Sequence, residues 1–277
     1  MDYYLDTEFL EGTQKKTFLG INVGETKPTI DLISIGIVAK DGREYYAISK
    51  DFNLKEAWNR FDLKINKKYP MGPEYLKEYW LRDNVLKPIF YELQDKSNLS
   101  VRKEVAIMGY SSRKIVNKKF TLSNLRWLIK NYGKSNKQIA NEIKDFCLDN
   151  VEIIKYKDTH YGGVDPYKGN PKFYAYYADY DWVAFCWLFG NMMNLPNGFP
   201  MYCIDLKQEL DNKARESIKD YCFGDTEKYL NNMIERSIKG QVMEFKNLKN
   251  YPKQDNEHNA LDDARWNKKL HEFIKSL

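Results

Sequence analysis

Three strand-like segments near the N-terminus constrain the fold most strongly. Tyr3–Phe9 and Ile30–Ala39 are rich in aromatic and β-branched residues, which favours strands. Asp41-Gly42 follows as a hairpin signal, and Glu44–Ser49 (EYYAIS) is the predicted return strand. Three adjoining strands at one end of the chain predict an antiparallel meander that begins a mixed sheet.

The remainder of the chain is predicted to be mainly helical. Polar residues over Glu11–Lys27 predict a loop. Further strands are predicted at Val151–Tyr156 and Phe173–Ala178, separated by a loop rich in Gly, Pro, Asn and Asp at Lys157–Lys172. Apolar periodicity and capping residues predict helices at Leu54–Phe61, Glu74–Gln94, Thr121–Asn131, Ser135–Asp149, Tyr180 to about Met193, Ile204–Asp211, Lys228–Lys239 and Ala260–Lys275.

Length and composition favour one α/β domain, 1–277, that carries an insertion. The 277 residues are 43% hydrophobic, enough for a sizeable core. The sequence has no uninterrupted run of about 18 or more apolar residues, so no membrane span is predicted. The acidic N-terminus is unlike a signal peptide. Four widely spaced cysteines without a C-x-x-C pair argue against a zinc cluster. A cytoplasmic, reducing location is therefore expected.

The insertion is predicted at about 53–134, largely helical and partly basic. Its second half overlaps a basic block, Val101–Ala140, with ten Lys/Arg and one acidic residue. Such a block suits nucleic acid, although a solvated basic face without a partner is the alternative. Candidates for phosphate contacts are Arg113, Lys114, Lys118 and Lys119. Three aromatic residues are available for base stacking: Tyr110, Phe120 and Trp127. The alternative is that they lie in the core of the insertion, and this is favoured for Trp127.

Two acidic residues in the first strand indicate a site. Asp6 and Glu8 lie two apart, so their side chains share one face of the strand. A face that packs on a core carries apolar residues, and two like charges repel unless a cation lies between them. The alternative is a solvent-exposed edge strand.

Two later segments carry further candidates. Asp179 and Asp181 lie where the strand Phe173–Ala178 gives way to a helix. One of them could be a helix N-cap, which leaves the other unexplained, and the pattern alone does not choose between them. His258 precedes the final predicted helix, and Asp263 lies inside that helix, about a turn and a half after His258, so both can reach one site. A lone histidine is more often structural, but His258 shares its short motif with carboxylates.

Together these residues favour divalent-metal chemistry. Carboxylate oxygens suit Mg²⁺ or Mn²⁺, whereas zinc prefers nitrogen and sulfur ligands. Two such ions about 4 Å apart clamp the attacking and leaving oxygens of a phosphodiester during in-line displacement. A neutral histidine beside the attacking water can accept its proton.

The motifs resemble those of the DEDDh exonucleases, which have the ribonuclease H-like fold in its DnaQ-like branch. The resemblance rests on D-T-E-F at Asp6–Phe9, Y-A-D-Y-D at Tyr177–Asp181 and H-N-A-L-D-D-A-R at His258–Arg265. Within that family the chain is most similar to small bacterial and phage 3′-5′ exoribonucleases that trim polyadenylate (ribonuclease AS-like). That closer likeness covers roughly residues 1–52 and 135–275 and leaves out about 53–134. It implies a ribonuclease H-like mixed β-sheet flanked by helices.

The resemblance also implies a role for each site residue. Asp6 would bridge two metal ions, Glu8 and Asp263 would complete the first site, and Asp181, rather than Asp179, would serve the second. His258 would activate the water. Two neighbours on the first strand, Thr7 and Phe9, would touch the terminal nucleotide. A homodimer is a further implication.

The expected activity is 3′-5′ hydrolysis of RNA, or of single-stranded DNA, with release of nucleoside 5′-monophosphates. RNA is favoured by the resemblance, but no residue spacing identifies a contact to the 2′-hydroxyl. The alternatives are a ribonuclease H-like endonuclease, which needs no histidine at position 258, and a catalytically silent nucleic-acid-binding protein. The complete set of five residues argues against the silent protein.

Overall fold

The computed structural model describes residues 1–19, 21–69, 72–108, 117–148, 170–218 and 227–277. Within these ranges the centre of the fold is a five-stranded sheet. Its strands in chain order are β1 Asp2–Gly12, β4 Thr29–Ala39, β5 Glu44–Ile48, β8 Lys172–Ala175 and β9 Ile204–Asp205. The spatial order is β5-β4-β1-β8-β9.

The β4–β5 hairpin confirms two of the predicted strands and their turn. Ala39 N donates to Arg43 O and Ser49 N to Ile33 O, each at 2.8 Å, which is an antiparallel register. Gly42 has φ +93° in the turn, a conformation that favours glycine. Along β4, Ile33, Ile35 and Ile37 are fully buried, which is why this segment is so apolar.

The other half of the sheet is parallel. Tyr3 and Tyr4 of β1 align with Phe173 and Tyr174 of β8, and Tyr174 aligns in turn with Ile204 of β9. Strand β8 ends before the predicted Ala178, because Tyr177 adopts a left-handed backbone (φ +57°) and a helix begins at Ala178. Hairpin and parallel strands together make a mixed sheet.

Eight α-helices lie in the described residues, and most coincide with predicted ones. They are α1 Leu54–Asn59, α2 Lys87–Met108, α3 Leu122–Tyr132, α4 Asn136–Leu148, α5 Ala178–Leu188, α6 Leu206–Ile218, α7 Glu227–Asn247 and α8 Ala260–Ser276. A π-helical turn, Arg82–Leu86, leads into α2, and a 3₁₀ turn spans Met192–Asn194. The mixed α/β sheet flanked by helices confirms the expected fold class and is consistent with a ribonuclease H-like fold. In the described ranges no helix is both long and apolar enough to cross a bilayer.

Three local predictions were wrong. The supposed loop Glu11–Lys27 contains a hairpin of β2 Lys15–Phe18 and β3 Ile21–Glu25. A second hairpin, β6 Asp62–Tyr69 and β7 Gly72–Glu78, replaces the start of the helix predicted from Glu74.

The third error concerns the predicted helix Ile204–Asp211. Its first two residues extend the sheet as β9, and the helix begins at Leu206. Asp205 marks this change, because its Oδ1 accepts the N–H groups of Lys207 at 2.6 Å and Gln208 at 3.2 Å. The predicted strand Val151–Tyr156, and the predicted loop as far as residue 169, lie outside the described residues.

The contacts divide the chain into two compact units. The first comprises Met1–Asp6, Gly36–Tyr46 and Glu142–Leu277, and the second comprises Thr7–Ile35 and Ala47–Asn141. The first has a core rich in aromatic residues that includes Tyr4, Tyr174, Leu206, Leu210, Leu270 and Phe273. In the second, Phe120 packs on Trp58 and Phe90 with ring centroids 4.8 and 5.3 Å apart. The predicted insertion at about 53–134 falls within the second unit, and a single domain over 1–277 stays a prediction.

Candidate metal centre

Three of the candidate carboxylates come together. Asp6 and Glu8 lie on β1 and Asp263 lies in the first turn of α8, and one oxygen from each lies within 4.8 Å of the others. Glu8 and Asp263 are buried, and Asp6 is partly exposed. Three negative charges so close together repel one another, and the all-oxygen donor set suits a hard divalent cation. The group therefore fits Mg²⁺ or Mn²⁺.

Both oxygens of Asp263 accept hydrogen bonds. Gln254 Nε2 donates to Oδ1 at 2.6 Å, and the backbone N–H of His258 donates to Oδ2 at 2.9 Å. His258 has a left-handed backbone (φ +69°), which turns the chain just before the helix. Asn259 is the N-cap, because its side chain accepts from the N–H groups of Leu261 and Asp262. These contacts fix the Asp263 carboxylate.

Burial sets the electrostatics of Asp263. Desolvation raises the pKa of this carboxyl above its ordinary value, and the hydrogen bonds from Gln254 and His258 act in the opposite direction. The charged form of Asp263 is therefore destabilised unless a positive charge lies nearby. A bound divalent cation would supply that positive charge.

Two buried residues hold α8 against the sheet. A Cβ at Gly36 of β4 would lie 2.3 Å from the carbonyl oxygen of Ala260, so only glycine lets the helix start approach this strand. Asn267, one turn beyond Asp263, is fully buried and donates from Nδ2 to Leu5 O on β1 at 2.9 Å. These contacts place Asp263 beside the strand that carries Asp6.

Asp181 is not a member of the group of three carboxylates that lie within 4.8 Å of one another. It lies in the first turn of α5 and is 6% exposed, whereas Asp179 is exposed. The N–H of Ala178, at the start of α5, donates to Asp205 Oδ2 at 3.2 Å. The charge of Asp181 contributes to raising the pKa of the Cys203 thiol, after desolvation as the larger cause. Asp181 is thus a buried charge at the helix start.

The remaining predicted site residues occupy different settings. His258 is partly buried, and its imidazole is close enough to lower the pKa of Asp263. On β1, Thr7 is buried and Phe9 is partly buried. The roles assigned to these residues stay predictions.

Within the described part of the basic block, the position predicted for one aromatic residue was wrong. Trp127, for which a core position was favoured, is 43% exposed. Lys118 Nζ lies 3.4 Å from the centroid of the Trp127 ring, a cation–π contact, and Lys119 is exposed. Three of the other candidates, Tyr110, Arg113 and Lys114, lie outside the described residues.

Sequence reasoning missed Gln254, Asn267 and Gly36. A glycine inside a strongly apolar strand does signal a close backbone approach, so Gly36 could have been found. Gln254 and Asn267 follow no pattern that would distinguish them from surface amides. Gln254 also lines an open cleft of about 890 Å³, whose wall includes three aromatic and three basic side chains: Tyr176, Tyr251, Trp266, Lys246, Lys249 and Lys253.

Comparison with known proteins gives one short but specific similarity. No model of a protein family matches the chain. A stretch of 57 residues, 21% of this chain, is 46% identical to a 3′-5′ exoribonuclease of Mycobacterium tuberculosis, matched in the strains CDC 1551 / Oshkosh and H37Rv. The match spans 26% of the length of those curated relatives. The similarity to this 3′-5′ exoribonuclease is confined to that stretch.

Proposed function

We propose that this protein is a DEDDh-type exonuclease that uses two divalent metal ions, Mg²⁺ or Mn²⁺. It removes nucleotides from the 3′ end of RNA, or of single-stranded DNA, and releases nucleoside 5′-monophosphates. The observation that carries the proposal is the convergence of Asp6, Glu8 and Asp263 within 4.8 Å. The similarity to a 3′-5′ exoribonuclease supports the same activity.

The carboxylates have the roles of metal ligands. Asp6, Glu8 and Asp263 would hold one ion, and Asp6 would share a second ion with Asp181. When bound, the ions supply electrostatic stabilisation of the attacking and leaving oxygens of the phosphodiester. Gln254 and the His258 backbone orient Asp263 for this task through their hydrogen bonds.

His258 is the proposed general base. Its imidazole lies just before the N-terminus of α8, near Asp263, and accepts the proton of the attacking water. The hydrogen bond from its backbone N–H to Asp263 holds the residue at the edge of the carboxylate group. Thr7 and Phe9 contact the terminal nucleotide, and Lys118 and Lys119 contact backbone phosphates upstream.

Linear and circular substrates test the proposal. A 5′-labelled linear RNA, a circular RNA of the same sequence and a single-stranded DNA are incubated with and without Mn²⁺. We expect stepwise shortening of the linear RNA from its 3′ end, release of mononucleotides, and no cleavage of the circle. Cleavage of the circle would show an endonuclease instead, and full activity in EDTA would contradict the metal dependence.

A further inference from the structure

A cavity in the second unit has a strongly basic rim. Its volume is about 390 Å³, and it lies between the start of α1 and one side of α3. Its lining residues are Lys50, Phe52, Asn53, Leu54, Lys55, Arg126, Ile129 and Lys130. Four of these described residues are cationic and none is acidic. None belongs to the carboxylate group.

The acidic residues closest in sequence are engaged elsewhere. Asp51 Oδ2 accepts from Asn136 N at 2.7 Å, and Glu56 pairs with Arg60 at 3.3 Å. Among the described residues, no ion pair joins Lys50, Lys55, Arg126 or Lys130 to a carboxylate. Four like charges around one cavity repel one another, and an anion in the cavity would relieve this repulsion.

The apolar part of the cavity lining strengthens its attraction for an anion. Phe52 and Ile129 both line the cavity and are 7% and 4% exposed, so this part of the lining is a packed apolar surface. Charges over such a low-dielectric surface act more strongly on a bound ion than charges surrounded by water. Asn53 is fixed in the wall, because its Oδ1 accepts from Glu56 N and its Nδ2 donates to Gln14 Oε1.

We infer that this cavity binds a phosphate group of the nucleic-acid strand on which the protein acts. The source of the phosphate rests on the proposed function, whereas the preference for a phosphate rests on the rim itself. Lysine and arginine side chains are the usual partners of backbone phosphates, and arginine can donate two parallel hydrogen bonds to one phosphate. The volume also accommodates a nucleotide, since small-molecule sites start at about 300 Å³.

Charge-neutralised variants test the inference in EDTA, where no strand is cut. Binding of a fluorescent single-stranded RNA is measured by anisotropy at several salt concentrations, for the protein and for Arg126→Gln/Lys130→Gln. We expect the Kd to rise about tenfold. The slope of log K against log salt should flatten by about 0.7 for each phosphate that the variant no longer neutralises.

A matched control removes the same charge outside the cavity. Lys27→Gln/Lys87→Gln changes two exposed lysines of the second unit that lie outside both the cavity lining and the basic block Val101–Ala140. We expect this variant to bind RNA nearly as the unchanged protein does. Equal weakening in both double variants would show a diffuse basic field and overturn the inference, as would no weakening in either.

Two further measurements keep the outcomes distinct. Lys50→Gln/Lys55→Gln neutralises the other side of the rim and should weaken RNA binding similarly, so that a folding defect in one variant does not decide the result. Calorimetry with inorganic phosphate and with a nucleoside 5′-monophosphate tests a free ligand. If the rim variants lost that binding yet bound RNA normally, the strand assignment would be overturned. Rim-dependent RNA binding without Mn²⁺-dependent cleavage would instead refute the proposed function and leave this inference standing.

Discussion

Asp263 is the residue on which the candidate site depends most. Its carboxylate is buried beside two others, and both of its oxygens accept hydrogen bonds. Burial raises the pKa of this carboxyl, because the charged form loses hydration. A bound cation would stabilise the charged form. The donors Gln254 Nε2 and His258 N–H, which position this carboxylate, therefore belong to the candidate site.

Gln254 is expected to act as a positioning residue. Gln254→Ala leaves Asp263 Oδ1 without its side-chain donor, and loss of such a partner typically weakens metal affinity or activity about 10- to 100-fold. Calorimetric titration with Mn²⁺ measures this affinity. Gln208→Ala, at an exposed glutamine on α6, is the matched control. An affinity equal to that of the unchanged protein in Gln254→Ala would refute the positioning role.

Asp181 and Asp179 form a natural pair for comparison. Asp181→Asn removes a buried charge and should slow hydrolysis at least about 100-fold if the residue serves the second metal ion. Asp179→Asn removes an exposed charge two residues away and should stay within about twofold of the unchanged rate. Single-turnover rates measure both. The opposite ranking would assign the second metal to Asp179.

The residue-scale predictions differ in their physical basis. Asp6 and Glu8 could be found from sequence because residues two apart on a strand share a face, and Asp263 because it follows His258 at the start of a helix. Gln254 could not be found, because an amide that reaches a carboxylate across a loop has no spacing signature. Asp181 and Asp179 could be separated only by resemblance, and the structure distinguishes them by burial.

At the scale of elements, the contact between α8 and the sheet determines where Asp263 lies. The helix start packs against Gly36 of β4, and Asn267 bonds to Leu5 O of β1. Strand β4 and helix α8 were both predictable, because long apolar or periodic segments carry strong local signals. The β6–β7 hairpin was not, since its outward apolar residues, such as Leu63 and Ile65, are exposed and do not mark a buried face.

Gly36→Ala tests this element contact. The new Cβ would lie 2.3 Å from Ala260 O and 2.4 Å from the Cα of Leu261, so backbone must move. We expect the free energy of unfolding to fall by about 1–3 kcal/mol and Mn²⁺ affinity to fall with it.

Chemical denaturation and Mn²⁺ calorimetry measure the two effects. Gly240→Ala in α7 is the control, because a Cβ there meets nothing within 4 Å. Alanine in a helix should leave stability unchanged or raise it by up to about 1 kcal/mol. A Gly36→Ala protein as stable and as metal-competent as the control would contradict the close-approach argument.

At the scale of the whole molecule, a buried histidine in the first unit is expected to make stability depend on pH. His271 is 3% exposed, Tyr4 Oη lies 3.0 Å from its Nδ1, and burial lowers its pKa to about 4. Glu209 lies 3.6 Å away, but burial outweighs this carboxylate, so the imidazole is neutral at pH 7. The unfolded chain takes up a proton near pH 6.5, whereas the native chain does so only near pH 4.

The contribution of His271 to stability is therefore expected to fall as the pH drops from about 6.5 to about 4. One proton taken up only by the unfolded state costs at most about 1.4 kcal/mol for each pH unit. His271→Gln keeps an acceptor for the Tyr4 hydroxyl but does not titrate, so it should flatten this part of the profile. Thermal unfolding at several pH values measures both proteins. Parallel profiles for the two proteins would exclude His271 as the cause.

The carboxylate centre is tested most directly by single-turnover digestion of 5′-labelled RNA with Mn²⁺. The unchanged protein is compared with Asp263→Asn, and with Asp262→Asn as the control that neutralises the adjacent acid, which pairs with Arg265. We expect Asp263→Asn to release nucleotides at least about 100-fold more slowly, and to bind Mn²⁺ more weakly, while Asp262→Asn remains active. Unchanged Mn²⁺ binding and unchanged nucleotide release in Asp263→Asn would contradict the metal centre and the function proposed from it.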